Sequence, residues 1–501
     1  LISMNKEIIT TQFNYDQKIK DICGILRSSG LGGALEYIPE LTWILFLKFY
    51  DDFEYLKSEK NKALGKKSSD LLEYPYRWRD WAHKKGKKRI ELENQSLGSI
   101  FKFINDDLIP KLKNLKDNKS SFEKLILSQI LINVEKVNID TEKNFLDVID
   151  KIDEINLSEI NEKHIFPISQ AYEGLLLRLG DKAKDGGQYF TPREVIRFIV
   201  KVINPKLGET MLDPSCGTGG FLVETMKHLK SNNKKMDVDE LDFLSSKTCY
   251  GKEKTKLIYP ILLANLMLHS FKNINVWYGN SLTKDEYYGG LYKNAPENFD
   301  IILTNPPFGG KENDEVSANF PYKTKKTQFL FLQDYIDLLK DKGRAGSVVD
   351  EGILFRTDEK AFIQIKRKLL EECNLYCIIS LPPGVFKVAG GNVKTNIIFF
   401  KKGEETKKIY YYDLSTLKVT KKKPMTLNHF DDFFVKYKDK KISKNSWFVD
   451  FKERKKKINS EIKSIEDQLL NKKLDKIEKN DLSNRINYLE NKIYDLSAQN
   501  P

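Results

Sequence analysis

Between residues 167 and 425, short apolar runs alternate with amphipathic stretches of helix length, and few folds accept that pattern. The runs fall at 210–212, 248–250, 274–277, 300–303, 346–349, 375–381 and 397–400. Runs so short, separated by enough chain for a helix, predict strands buried on both faces and joined by crossovers. The expected architecture is α/β, a doubly wound, Rossmann-like parallel sheet. Such sheets bind ligands in the loops after the carboxyl ends of their strands, so the residues that close each run are the ones to read for chemistry.

The flanks follow another period. Up to residue 165, apolar side chains recur every three or four positions, around Trp43, Phe46, Leu47 and Tyr50 and again at Leu125, Ile130 and Val134. That spacing predicts a helical bundle, with Gly30, Gly32 and Gly33 marking a loop ahead of its most apolar helix. At the other end, Ile458, Ile462, Ile465 and Leu469 share one helix face; Leu482, Ile486, Leu489, Ile493 and Leu496 repeat the spacing after a polar break at 479–481. Two amphipathic helices are expected there, suited to docking on a partner; packing on their own domain would satisfy the same stripe. The expected division is an amino-terminal helical domain (1–165), a sheet-bearing domain (166–425) and a carboxy-terminal extension (426–501). Two polar insertions, 231–246 and 309–326, interrupt the middle part. The second follows a strand end, and either reaches toward substrate or is an ordinary surface loop.

Composition narrows the classes. A chain of 501 residues, 40% of them hydrophobic, can build real cores and exceeds one domain. Lys and Arg total 84 against 71 Asp and Glu, and the net charge of +13 suits a polyanionic partner such as nucleic acid, or reflects a lysine-rich composition alone. Cys23, Cys216, Cys249, Cys373 and Cys377 form no C-x-x-C pair and the five histidines are isolated, so neither disulfides nor a metal site is expected. The longest apolar stretch, 257–271, contains Asn265 and His269 and is too short to cross a bilayer. Asn5, Lys6 and Glu7 stand where a signal peptide would turn apolar. A cytoplasmic protein without a membrane partner is the expectation.

After the run at 210–212 comes Asp213-Pro214-Ser215-Cys216-Gly217-Thr218-Gly219-Gly220, a glycine turn leading into a helix. Glycines admit a ligand close to the backbone, and a helix N-terminus favours anionic groups. The turn lacks both the G-x-G-x-x-G of dinucleotide sites and the Gly-Lys-Ser/Thr ending of phosphate loops. Asp213 instead sets a carboxylate where a cationic amine or a sulfonium can sit, which suits a cofactor bearing an amino acid. Glu253 closes the second run, in position to accept hydrogen bonds from both hydroxyls of a ribose. Asn280 follows the third run, where its amide can meet an adenine edge. Either is equally an ordinary surface side chain.

The sharpest signal follows the fourth run: Asn305-Pro306-Pro307-Phe308. Prolines donate no N–H and fix the turn, which leaves the Asn305 side-chain oxygen and the Pro306 carbonyl as rigid acceptors. The exocyclic amine of adenine is a poor nucleophile because its lone pair is delocalised into the ring. Acceptors for both of its N–H groups would draw that lone pair out of conjugation. Phe308 offers a face for an extruded base, a contact worth about 1–3 kcal/mol, against the few kcal/mol that extrusion costs. A rigid loop with a core phenylalanine is the plainer alternative.

Together the Asp213–Gly219 and Asn305–Phe308 segments resemble amino-methyltransferases of the γ arrangement. Gly187-Gln188-Tyr189-Phe190-Thr191-Pro192-Arg193 is closely similar to the cofactor-binding segment of the modification subunit of type I restriction-modification systems. Leu381-Pro382-Pro383-Gly384-Val385-Phe386, Lys394-Thr395-Asn396-Ile397-Ile398-Phe399-Phe400 and Leu45-Phe46-Leu47-Lys48 also resemble that family. The resemblance implies S-adenosylmethionine as cofactor, no metal, and methylation of adenine N6 in double-stranded DNA. It implies that Gln188, Tyr189, Phe190, Thr191, Pro192 and Arg193 contact the cofactor, as do Asp213, Ser215, Cys216, Gly217, Thr218 and Gly219. Glu253 would hold its ribose and Asn280 its adenine, while Asn305, Pro306, Pro307 and Phe308 would hold the target base. Asn280 stands where many adenine methyltransferases carry Asp, and Asp350-Glu351-Gly352 lacks the proline expected before the acidic–glycine pair.

The resemblance further implies a specificity subunit that reads the DNA sequence, two modification subunits flanking it, and a restriction subunit that can join. The carboxy-terminal helices are the candidate for docking on the specificity subunit. The alternatives are a self-sufficient type II methyltransferase, a protein-glutamine or RNA methyltransferase, and a non-enzymatic assembly protein.

Overall fold

The computed structural model describes residues 17–18, 21–31, 34–65, 70–115, 121–155, 191–269, 271–386, 393–420, 423–470 and 475–497. They group into two compact units.

The first unit contains the described residues of 1–189, with 217–219 and 255–274. Its amino-terminal part is helical, as its periodicity predicts. Ser121 and Thr141 open the helices Phe122–Ile130 and Glu142–Asp153, their hydroxyl oxygens accepting from Lys124 N and Asn144 N. The longer helix Ala34–Ala63 buries Trp43, Phe46 and Phe49, and Trp43 stacks on Phe145 with ring centroids 6.5 Å apart. Charges caught in this core are paired, Lys48 with Asp52 at 2.7 Å and Arg79 with Asp51 at 3.0 Å. The helix Tyr259–Leu268 joins two strands of the sheet in sequence, yet it packs here, on Phe122–Ile130 and Ala34–Ala63. It is apolar nearly all round and buried from Pro260 to Leu268, as such helices must be.

The second unit, 190–216 with 220–254 and 275–501, carries one nine-stranded sheet. Its strands are β1 (Met211–Asp213), β2 (Cys249–Glu253), β3 (Asn275–Tyr278), β4 (Phe299–Thr304), β5 (Leu339–Asp350), β6 (Cys373–Ser380), β7 (Thr395–Lys402), β8 (Lys408–Asp413) and β9 (Ser446–Asp450). The order is β3-β2-β1-β4-β5-β7-β6-β8-β9. All seven expected runs are strands. The sheet is mixed, however, where a parallel one was expected: β7 pairs antiparallel with both β5 and β6, and β9 antiparallel with β8. A parallel return needs a crossover, usually helical. No helix lies among the described residues of 381–394, and β7 pairs antiparallel beside β6.

Other boundaries move as well. The boundary expected at 425 falls inside this unit, because β9 extends the sheet from beyond it. The polar insertion at 231–246 contains a helix, Val238–Ser246, opened by an Asp237–Glu240 capping box. The two carboxy-terminal helices are Phe451–Leu469 and Lys476–Ile493, so the polar stretch 479–481 lies within the second helix. Their apolar stripe does not face outward for a partner. Ile458, Ile462, Ile465, Leu489, Ile493 and Leu496 are buried in one core with Phe362, Ile409 and Tyr411. Leu496 is pinned at both backbone groups, its N–H donating to Leu354 O and its carbonyl accepting from Tyr411 Oη. Among the described residues no helix is long and apolar enough to cross a membrane.

Candidate active site

Strand order reverses between β1 and β4, which are neighbours in register Met211 to Ile301 and Leu212 to Ile302. Adjacent connections leave such a switch point in opposite directions and open a crevice at its carboxyl edge. Asp213 ends β1 there, and Asn305 directly follows β4.

The β1 turn is shaped by hydrogen bonds that occupy much of it. Asp213 is buried, with Oδ1 accepting from Ser215 N at 3.1 Å and the Thr304 side chain also bonding the carboxyl. Burial pushes its carboxyl up to about 7, against those hydrogen bonds, and the nearby Glu253 carboxylate pushes the same way. The Ser215 and Thr304 hydroxyls meet at 2.8 Å, and Pro214 O accepts from Ser281 Oγ. Cys216 spends its N–H on Lys252 O and buries its sulfur against β2. A Cβ on Gly251 would stand 2.9 Å from that sulfur, so β2 needs a glycine at this close approach. Gly217 and Gly219 have φ of 52° and 85°, the left-handed region the turn requires. Thr218 O accepts from Asn265 Nδ2 at 2.7 Å.

Glu253 is buried at the end of β2. Asn280 caps the short 3₁₀ turn Ser281–Thr283, with Oδ1 accepting from Leu282 N, and its Nδ2 donates to Glu312 at 3.2 Å. Glu312 also pairs with Lys254 at 3.3 Å. The segment 309–326 is therefore tied down over this edge. Glu312 N bonds Lys325 O, Thr327 N bonds Gly310 O, and the insertion contains a helix, Asp314–Ala318.

At the β4 end, Asn305 Nδ2 donates to Thr191 Oγ1 at 2.9 Å, which leaves Oδ1 buried and without a hydrogen-bond partner. A buried acceptor left unpaired costs about 1–3 kcal/mol; such an atom calls for a ligand donor. Pro306 O receives a long bond, 3.5 Å, from Gln328 Nε2. Phe308 lies edge to face with Phe386, centroids 5.4 Å apart.

Of the upstream segment, Gln188, Tyr189 and Phe190 lie outside the described residues. Thr191 sits on Asn305, Pro192 precedes the helix Arg193–Ile203, and Arg193 pairs with Glu224 at 3.3 Å. The structure thus brings Thr191, Asp213, Ser215 and Asn305 to one edge of the sheet. It engages Asn280 and Arg193 with protein carboxylates. Sequence reasoning passed over Ser281, Thr304 and Gln328. The first two adjoin residues it had chosen; Gln328 carries no local mark.

The N-6 DNA methylase family matches residues 161–488, and the HsdM N-terminal domain matches residues 15–152. The chain belongs to the N-6 DNA methylase family. This methylase is 36% identical over 430 residues to the EcoEI type I restriction enzyme methylase subunit of Escherichia coli, covering 82% of this chain and 81% of that one. A modification subunit of a type I restriction enzyme from Vibrio vulnificus YJ016 superposes with a TM-score of 0.74 at 32% identity, covering 88% of this chain and 92% of that one. A chain from a type I R-M system solved to explain complex assembly and conformational transition gives 0.70 at 32% identity, covering 97% and 91%. The methylase is an adenine-N6 DNA methyltransferase, the modification subunit of a type I restriction-modification enzyme.

The β1–β3 edge suits the cofactor such enzymes use. Two buried carboxylates stand here, and Glu253 is near enough to Asp213 to raise its proton affinity. That donor set fits a ligand offering a cation and a diol. Among the described residues no cluster of His, Cys, Asp and Glu is arranged to hold a metal ion.

Proposed function

We propose that this methylase binds S-adenosylmethionine along the carboxyl ends of β1 to β3 and presents it to an adenine extruded from double-stranded DNA. In this reading Asp213 faces the cationic end of the cofactor and Glu253 its ribose, and Ser215, Cys216, Gly217, Thr218 and Gly219 are assigned to the cofactor from the family resemblance. Asn280 contacts its adenine, and Gln188, Tyr189, Phe190, Thr191, Pro192 and Arg193 are assigned to the cofactor from the family resemblance. S-adenosylmethionine, when bound, supplies a methyl group made electrophilic by its sulfonium. Asn305 Oδ1 and Pro306 O accept the two N–H groups of the target amine and draw its lone pair out of the ring. Pro307 stiffens the loop, and Phe308 stacks on the base. The chain's own contribution is orientation and electrostatic pre-organisation.

One observation carries the reading: Asn305 Oδ1 is a buried acceptor with no partner, beside the switch point, on an amide whose Nδ2 donates to Thr191 Oγ1. Asn305→Ala and Phe308→Ala are expected to lower N6-methyladenine formation by about 10²–10³-fold or more while cofactor affinity, measured by calorimetry, holds. Undiminished methylation by Asn305→Ala would remove the assignment.

The same reading places the methylase beside a specificity subunit, two modification subunits to one, with a restriction subunit able to join. The net charge of +13 is in keeping with DNA as substrate. Absence of a membrane partner and a cytoplasmic location belong to this proposal.

A further inference from the structure

The Asn305–Phe308 loop has an uncommon mechanical problem. Pro306 and Pro307 have no N–H, so the loop cannot be anchored at these positions by backbone donation. Its carbonyl must be held through its own lone pairs, by a donor from elsewhere. Gln328 is that donor. It lies in the first turn of the helix Thr327–Leu338, is 5% exposed, and sends Nε2 to Pro306 O at 3.5 Å. Its other amide atom is also used, with Oε1 accepting from Asp350 N at 3.1 Å. Asp350 ends β5 and caps the next helix, its Oδ1 accepting from Ile353 N. The preceding residue, Thr327, bonds Gly310 O and so fixes the far side of the same loop.

We infer that Gln328 is a positioning residue for the reaction: it sets the Pro306 carbonyl by keying it to the end of β5, with one lone pair left for the target amine. The inference rests on the reading of Asn305 and Pro306 as the base clamp. A carbonyl oxygen has two lone pairs, so a donor at one side need not block the other. The side-chain amide suits the task because its donor and acceptor face opposite ways, one toward β4's loop and one toward β5's end. Misplacing a reacting group by about 1 Å costs up to about 10²-fold in rate, so a small shift of this carbonyl is felt in kcat.

Gln328→Glu is the discriminating variant. It keeps the acceptor for Asp350 N and the side-chain size but turns a carboxylate oxygen toward Pro306 O. Assayed in the methylase assembled with its specificity subunit, it is expected to lose about 10²-fold in kcat at pH 8, with the DNA KM and the cofactor Kd within about twofold of wild type. Burial raises the new carboxyl's proton affinity, so lowering the pH toward 6 restores an O–H donor and narrows the gap to wild type. A purely structural role predicts no such recovery. Gln328→Met, which keeps bulk and loses both bonds, is expected to lose kcat without recovering at low pH, and it serves if the glutamate variant does not fold. Wild-type kcat at pH 8 in either variant, or a glutamate defect indifferent to pH, overturns the proposal. Asn305→Ala run alongside separates the two ideas. If it stays active the clamp itself fails, whereas an inactive Asn305→Ala beside fully active Gln328 variants removes only the role of Gln328.

Discussion

Asp213 shows how one residue's surroundings set its chemistry. On the sequence it is a carboxylate at a strand end; in the fold burial dominates and holds its carboxyl at about 7. In the ligand-free protein the shift opposes stability. The stabilising, protonated form is fully present below the ordinary aspartate range near 4, and its contribution is lost as pH rises through about 7. A cationic ligand group selects the ionised form, so the sign reverses for binding. S-adenosylmethionine affinity is therefore expected to increase between pH 6 and 8 by calorimetry, and Asp213→Asn to weaken binding and flatten that dependence. A wild-type affinity independent of pH would detach Asp213 from the cofactor. Thr191 teaches a related lesson. Its family resemblance points to the cofactor, and its hydroxyl in this structure holds the Asn305 amide.

Elements differ in how openly the sequence announces them. The strand runs were legible because a strand covered on both faces is apolar throughout. The direction of β7 was not, since a buried antiparallel strand has the same composition as a parallel one. β8 and β9 were not among the expected runs, although Ile409–Tyr412 and Trp447–Val449 are apolar stretches of comparable length. The carboxy-terminal helices were legible as helices, yet their stripe could not say which surface it meets. In the fold that stripe is internal, so Ile462→Ala and Ile493→Ala are each expected to destabilise the chain by about 2–5 kcal/mol in denaturant titrations. Stability unchanged by both would mean the hairpin is not packed on its own core in solution.

For the whole molecule, the stripe is internal, so a hairpin that docks on a partner must do so through its other surfaces. Leu470 and Ile477, 78% and 73% exposed, flank the connection between the two helices. Charged replacements there change no buried contact, so Leu470→Lys with Ile477→Lys is expected to leave stability within about 0.5 kcal/mol while reducing co-purification with the specificity subunit. Undiminished assembly would place that contact elsewhere on the chain. The helix Tyr259–Leu268 carries the same kind of lesson at this scale. It reads as one more crossover helix, and its packing partners in the first unit come from residues far away in sequence.

The sequence alone determined the α/β class and the helical flanks, and it marked the segments to which the chemistry is assigned by proposal, because strand periodicity, turn glycines and the Asn-Pro-Pro-Phe segment are local signals written in consecutive residues. Tertiary structure alone decided what those residues touch. The protonation of Asp213 depends on burial and a neighbouring carboxylate, the free acceptor of Asn305 on Thr191, and the seat of the Pro306 carbonyl on Gln328. Each of these is a contact between distant positions, and no local pattern specifies which side chain the fold will bring alongside.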